Sequence, residues 1–301
     1  MTDTDHEQDT ARPPLRHRLG NAAFLALMRL AMAMPYEKRI PAVGWFFSRI
    51  VAPVIGWRKR IRDNLALARP DLSEAEIRDI VHEVPDNAGR ALAETYSGAE
   101  FTGRVAAQDT LYGPGLPYLE EAAQSGRAVI LASAHFGNYD AFRAALHAKG
   151  WPIGGLYRPM NNEAFNEHYV PAIKAIAEPL FPRGRSGLAA MLRYIKGGGW
   201  LAIAIDQYDN RGADLRFFDL PTKTVLSAAE LAIRYNAYLI PIEAIREPNG
   251  LDFRVLVGAP IEHGDPAEMM QQLNDQLEAL VRDHMGQWLW VHRRWKQRKA
   301  R

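Results

Sequence analysis

The sequence predicts an α/β fold, a mainly parallel mixed sheet flanked by helices, preceded by an N-terminal helical segment suited to membrane association. Three observations predict it. Short apolar runs of strand character recur at 128–134, 153–157, 200–205, 238–245 and 253–257. Segments of helical character at about 138–149, 162–178, 186–196 and 225–236 separate the first four, and alternation of strand with helix calls for crossover connections and a parallel sheet. Ahead of them lie two apolar stretches with helical lengths but no strand-like alternation.

Taken in order, residues 1–18 are polar, acidic and then proline-bearing, with too little apolar surface to offset ordering, and read as a disordered leader. They do not read as a signal peptide, because the start is acidic and no cleavage site follows an apolar core. The apolar stretches 19–34 and 42–57 are each shorter than a membrane span and each interrupted, by Arg29 in one and by Arg49 and Pro53 in the other. Trp45, Phe46 and Trp57, followed by Arg58, Lys59, Arg60 and Arg62, suit an interfacial helical hairpin over 19–57; two ordinary core helices remain the alternative. Residues 58–98 read as helical, with a cap signal at Ser73 followed by Glu74 and Glu76. The main unit is therefore expected over 58–301. Its last two strands, joined through Pro248, Asn249 and Gly250, read as a hairpin at the sheet edge. A final helix over 266–286 leads into Gln287-Trp288-Leu289-Trp290-Val291-His292-Arg293-Arg294-Trp295-Lys296.

Composition narrows the chemistry. The 301 residues include no cysteine, which excludes thiol catalysis, disulfides and sulfur-bound zinc. The net charge of +2 averages over an acidic leader and a strongly basic C-terminal end, a distribution that suits an anionic partner such as a membrane surface. Basic residues interleaved with tryptophan also suit single-stranded nucleic acid, but no nucleic-acid-binding motif accompanies them, so none is expected as a partner. Trp288, Trp290 and Trp295 are assigned to the membrane interface, with a purely structural role covering the sheet edge as the alternative. The histidines show no metal-ligand spacing, and neither metal nor cofactor is expected.

The most informative segment is the apolar strand that runs into His135-Phe136-Gly137-Asn138-Tyr139-Asp140. In an open α/β sheet, ligands gather at the carboxyl ends of the strands, where this histidine falls. Across a strand-to-helix turn, Asp140 can fold back to hold one imidazole nitrogen and leave the other free as a base. No G-x-S-x-G elbow supplies a nucleophile. A His–Asp pair acting alone suits activation of a substrate hydroxyl, so direct transfer fits better than a covalent acyl-enzyme. A structural turn histidine is the alternative.

This segment resembles the H-x4-D/E motif of the lysophospholipid and glycerolipid acyltransferase superfamily. The surrounding chain resembles its lipid A biosynthesis (lauroyl/myristoyl) acyltransferase branch, through Arg58 to Leu65, Tyr157-Arg158-Pro159, Phe181 to Gly187, Ile205-Asp206-Gln207, Phe217-Phe218 with Pro221, and Gln287 to Lys296, in that order. The resemblance implies that His135 is the general base and Asp140 its orienting partner. It implies that Arg158 meets anionic substrate groups, and it places Phe181 to Gly187 where the wider superfamily carries P-E-G-T-R-S. Asp140 stands where lipid A enzymes usually have glutamate, which loosens the acceptor assignment; Arg183 stands where glycerolipid enzymes have glutamate, which favours the lipid A branch.

Asn138, Arg158, Arg183, Arg185, Asp206 and Gln207 complete the expected substrate-binding set, the guanidinium groups being suited to phosphate. The expected activity is transfer of a fatty acyl chain from a thioester, on acyl carrier protein, to a hydroxyl of a lipid A precursor. A lysophospholipid or other lipid acceptor is the runner-up, and a non-catalytic membrane lipid-binding protein the reading from another class. The expected location is the cytoplasmic face of a bacterial inner membrane, peripheral or monotopic.

Overall fold

The computed structural model describes residues 15–295. Six helices come first: α1 (Leu15–Met32), α2 (Tyr36–Phe46), α3 (Ala52–Val54), α4 (Trp57–Ala68), α5 (Glu74–Ser97) and α6 (Ala99–Ala106). The expected leader lies outside the described residues up to residue 14, and 15–18 already belong to α1. A π-helical turn at Phe47–Val51 joins α2 to α3. Gly56, at φ +74°, then turns the chain through the left-handed region, and α4 departs at 85° to the run before it. Among the described residues no single helix is long and apolar enough to cross a membrane. The cap signal at Ser73 is realised as a reciprocal box: its hydroxyl accepts from the Glu76 amide at 3.3 Å, and the Glu76 carboxylate accepts from the Ser73 amide at 2.8 Å.

The rest of the chain supplies β1 (Leu111–Tyr112), α7 (Leu116–Ser125), β2 (Val129–Ser133), α8 (Tyr139–Ala148), β3 (Ile153–Tyr157), α9 (Glu163–Lys174), β4 (Leu180–Pro182), α10 (Arg185–Lys196), β5 (Trp200–Ala204), β6 (Ala213–Phe217), β7 (Leu220–Thr224), α11 (Ser227–Tyr235), β8 (Tyr238–Arg246), β9 (Phe253–Val257) and α12 (Pro266–Asp283). The main sheet runs β1-β9-β8-β2-β5-β3-β4, and every neighbouring pair is parallel except β8 with β9. Strand β2 is buried at every residue. Its side chains alternate between Val129 and Leu131, packed with Phe101, Phe142 and Trp200, and Ile130 and Ala132, packed with Met191, Met269 and Leu273. Helices on both faces explain why the strand reads as one apolar run.

Two sequence expectations are corrected. The β8–β9 hairpin is not the sheet edge, because Leu111 and Tyr112 pair parallel with Val255 and Leu256 on its outer side; a two-residue strand leaves no periodicity to read. Trp288, Trp290 and Trp295 are buried, not interfacial. They form one aromatic cluster with Phe217 and Phe218, which the β6–β7 hairpin presents, with Trp288 and Trp290 ring centroids 4.7 Å apart. Each indole N–H has an internal acceptor: Asp206 Oδ2 at 3.0 Å, Met285 O at 2.9 Å and Phe217 O at 3.0 Å, respectively. Arg294, in the same segment, is also buried and donates to Gln207 O, Thr224 Oγ1 and Asn274 Oδ1. The segment therefore roofs the sheet edge, and Asn64 of α4 clamps it by donating to the Trp290 and His292 carbonyls.

Candidate active site

Strands β2 and β5 are neighbours with Ser133 opposite Ala204. Extending that register by two residues brings His135 level with Asp206, and the side chains meet: His135 Nδ1 lies 2.8 Å from Asp206 Oδ1, and the His135 amide donates to Asp206 Oδ2 at 2.9 Å. A carboxylate only accepts, so Nδ1 carries the hydrogen and Nε2 keeps its lone pair. Asp206 is fully enclosed. Burial raises its pKa, but the attraction and hydrogen bonds of His135 outweigh that and hold the carboxyl far below the usual range. For His135 burial works downward, and the Asp206 charge and hydrogen bond overcome it to raise the ring above its ordinary value. Glu243, on β8, accepts from Ser133 Oγ at 3.2 Å. Burial, and then the Asp206 charge, push its pKa well up.

Asp140 does not touch the His135 ring, which corrects its expected role as orienting partner. As the second residue of α8 it turns inward to pair with Arg143 one turn on. Arg143 then donates to the Ala177 carbonyl at 2.6 Å, tying α8 to the end of the α9 segment. Asn138, expected to bind substrate, lines the cleft described below, and its side chain is bonded into the scaffold. Its Oδ1 accepts from the Asp140 amide at 2.9 Å, capping α8, and its Nδ2 donates to Glu94 at 2.8 Å. Glu94 in turn holds Arg246 in a buried two-pronged pair, an arrangement for which the sequence carries no local signal.

His135 lines a cleft of about 170 Å³ between α5 and the β2–α8 turn. Trp57, Val84, Ala88, Ala91, Leu92 and Leu289 give it an apolar wall, and the small residues of α5 leave the room. Gly137 makes the turn possible: at φ +52° its backbone is left-handed, and a Cβ there would lie 2.0 Å from the Ala244 carbonyl oxygen. Tyr139 meets the His135 ring edge-on at 5.7 Å. His292, read from sequence as an ordinary histidine, packs against the His135 ring at 4.6 Å. Burial, then repulsion from His135, pull its pKa down to about 4, so it is neutral at physiological pH.

Of the remaining expected residues, Gln207 is close, with Nε2 3.5 Å from His135 Nε2. Arg158, Arg183 and Arg185 follow β3 and β4 on the same sheet edge but are exposed and do not line the cleft. Arg158 donates to Asn161, and Arg183 lies 3.8 Å from Asp209. Trp45 is 58% exposed, Phe46 is half-buried, and Trp57 packs on Phe47 at 5.2 Å while it walls the cleft.

Comparison with known proteins gives a consistent picture. Residues 14–297 match the family model for bacterial lipid A biosynthesis acyltransferases. The chain is 25% identical to a lipid A biosynthesis acyltransferase of Haemophilus influenzae over 287 residues, 91% of this chain and 89% of that one. It is 25% identical to the lipid A biosynthesis palmitoleoyltransferase of Escherichia coli over 284 residues, 91% and 90% of the two chains. A phosphatidylinositol mannoside acyltransferase of Mycolicibacterium smegmatis is 23% identical over 301 residues, 95% of this chain and 94% of the other.

Proposed function

The chain belongs to the bacterial lipid A biosynthesis acyltransferase family, and on that premise we propose that His135 and Asp206 form the general-base pair of its acyl transfer to a lipid acceptor. The observation that carries this reading is the short contact between His135 Nδ1 and the buried, ionised Asp206, which leaves Nε2 as a free base on a residue that lines an apolar cleft. Nε2 removes the proton of an acceptor hydroxyl as its oxygen attacks the thioester carbonyl. The tetrahedral intermediate collapses by breaking the C–S bond, and the imidazolium returns its proton to the departing sulfur, giving an ester and a thiol. The Gln207 amide and the N-terminal end of α8, whose first residue Tyr139 lines the cleft, are the groups placed to meet the developing oxyanion. The amides of His135, Phe136 and Gly137 are already given to Asp206, the Ala134 carbonyl and the Gln287 carbonyl.

The acyl chain is assigned to the apolar cleft, the donor to acyl carrier protein, and the acceptor to a lipid A precursor with a free hydroxyl. Arg158, Arg183 and Arg185 supply positive charge along the route by which phosphorylated groups approach. A second acceptor class, a different membrane glycolipid or lysophospholipid, is favoured by Asp140 and by the similarity to a phosphatidylinositol mannoside acyltransferase. Attachment is assigned to the cytoplasmic face of the inner membrane through Leu30, Trp45 and Val54, all exposed on the N-terminal helices. Mass spectrometry of total lipids from a deletion strain tests the reading. The lipid that loses one acyl chain names the acceptor, and an unchanged lipid profile, together with no ester formed by the purified protein from an acyl thioester, refutes it.

A further inference from the structure

We propose that the outward face of α10 is the docking surface for the acidic protein carrier of the acyl thioester, an inference that rests on the carrier-borne donor proposed above. Gly187, Met191 and Ile195 turn one side of this helix into the core. Arg185, Leu188, Ala189, Arg193 and Lys196 are exposed at helical spacing on the other, and the helix contains no acid. Arg185, Arg193 and Lys196 make no ion pair with any of the described residues, so this face carries three uncompensated positive charges. Arg193 and Lys196 stand three residues apart in the last turn, close enough for one anionic group to join both. Leu188, 49% exposed, adds an apolar side chain at the border of the cationic face. That combination complements an acidic helix with an apolar contact of its own. A bilayer is the poorer match, because the large exposed apolar side chains Leu30, Trp45 and Val54 are gathered on α1 to α3, while α10 offers a single leucine and no aromatic ring there.

The position fits delivery to His135. Helix α10 begins directly after β4, at the sheet edge where β2 ends in the His135 turn. From β4 through β3 and β5 to β2 is three strand spacings, about 14 Å. A flexible pantetheine arm anchored at the start of α10 crosses that distance over the ends of β3 and β4, where Arg158 and Arg183 stand.

The test is the double variant Arg193→Glu/Lys196→Glu, assayed with one acyl chain on acyl carrier protein and on coenzyme A. The expected result is a KM for the carrier-borne donor raised about tenfold or more, weaker salt dependence of that KM, and kcat and the KM for the coenzyme A donor nearly unchanged. An unchanged carrier KM overturns the proposal, as does an equal loss with both donors. Loss of binding to anionic phosphatidylglycerol vesicles with carrier kinetics intact overturns it by assigning the face to the membrane. If the wild-type protein turns over the coenzyme A donor but shows no saturable use of the carrier, the donor reading itself fails and the docking surface with it.

Discussion

Replacing Asp206 by asparagine separates the role of this carboxylate from that of Asp140. Three donors converge on Asp206: His135 Nδ1 at 2.8 Å, the His135 amide at 2.9 Å and Trp288 Nε1 at 3.0 Å. Asparagine brings one acceptor oxygen and one NH₂. If the oxygen keeps the amide and the indole, the NH₂ faces Nδ1, which must then accept, and the hydrogen moves to Nε2, so the free base is lost. If the side chain flips, the ring keeps its tautomer but two buried donors face the NH₂, at about 1–3 kcal/mol for each unsatisfied group. The first arrangement wins, and the expected loss in kcat/KM is the full contribution of a general base, roughly 10²- to 10⁴-fold, or about 3–5 kcal/mol of barrier. The Asp206 charge also holds the His135 pKa above its ordinary value against burial. Activity of the wild-type protein therefore rises with pH as the ring deprotonates, with its acid limb shifted up from the ordinary histidine value, and any residual activity of Asp206→Asn carries that limb at lower pH. The assay is initial-rate transfer from an acyl thioester at pH 5–9, with the near-ultraviolet tryptophan signal confirming that the aromatic cluster survives. Asp140→Asn is the contrast: it leaves Arg143 buried without its counter-charge, so it lowers stability by several kcal/mol yet keeps the acid limb in place. Near-normal turnover of Asp206→Asn with an unmoved limb refutes the assignment, as does loss of turnover in an Asp140→Asn protein of unchanged melting temperature.

Other substitutions probe the frame around this pair. Gly137→Ala places a Cβ against the Ala244 carbonyl in a left-handed turn, so urea unfolding should show a loss of more than about 2 kcal/mol and transfer should fail with it. Trp290→Ala removes a buried ring and should cost about 3–5 kcal/mol in unfolding free energy while vesicle binding of the remaining folded protein is unaltered. Trp45→Ser should do the reverse, weakening co-sedimentation with anionic vesicles at unchanged stability. His292, with its pKa pulled down to about 4, stays neutral in the fold while the unfolded chain takes up a proton near 6.5, so stability is lost as pH falls between those values. His292→Phe removes that uptake, and its unfolding free energy should fall less than that of the wild type between pH 7 and 4.5, by about 2–3 kcal/mol.

The central strands were legible because they are largely buried on both faces: β2, β3, β5 and β8 announce themselves as apolar runs, β9 by the alternation that buries Phe253, Val255 and Val257, and the helices between them by spacing and caps. What escaped was short or held by distant partners. β1 and β4 have two and three residues, and the β6–β7 hairpin mixes charge with buried Leu215, Phe217, Thr222 and Thr224. The C-terminal tryptophans misled for a physical reason. Aromatic rings beside arginines suit both a head-group layer and a core whose polar atoms are all paired internally, and the acceptors that decide between them, Asp206, Met285 O and Phe217 O, lie up to 82 residues away.

The same distinction explains Asp140 and Asp206. A spacing of five residues is visible in one segment, and it suggests that the two ends meet. In this fold the segment is a strand end, a glycine turn and a helix start, and Asn138 fixes the helix phase by capping the Asp140 amide. Asp140 then faces its own helix neighbour Arg143, and through it the Ala177 carbonyl, so its contribution is to set where α8 stands. The partner of His135 comes from register: Ser133 opposite Ala204 on parallel neighbours carries forward to His135 opposite Asp206. Register is a property of two strands, and no single stretch of sequence displays it until β5 is known to lie beside β2. On this geometry glutamate and aspartate at position 140 are interchangeable as long as the carboxylate reaches Arg143, whereas position 206 tolerates only a group that accepts from the ring and from two further N–H donors at once.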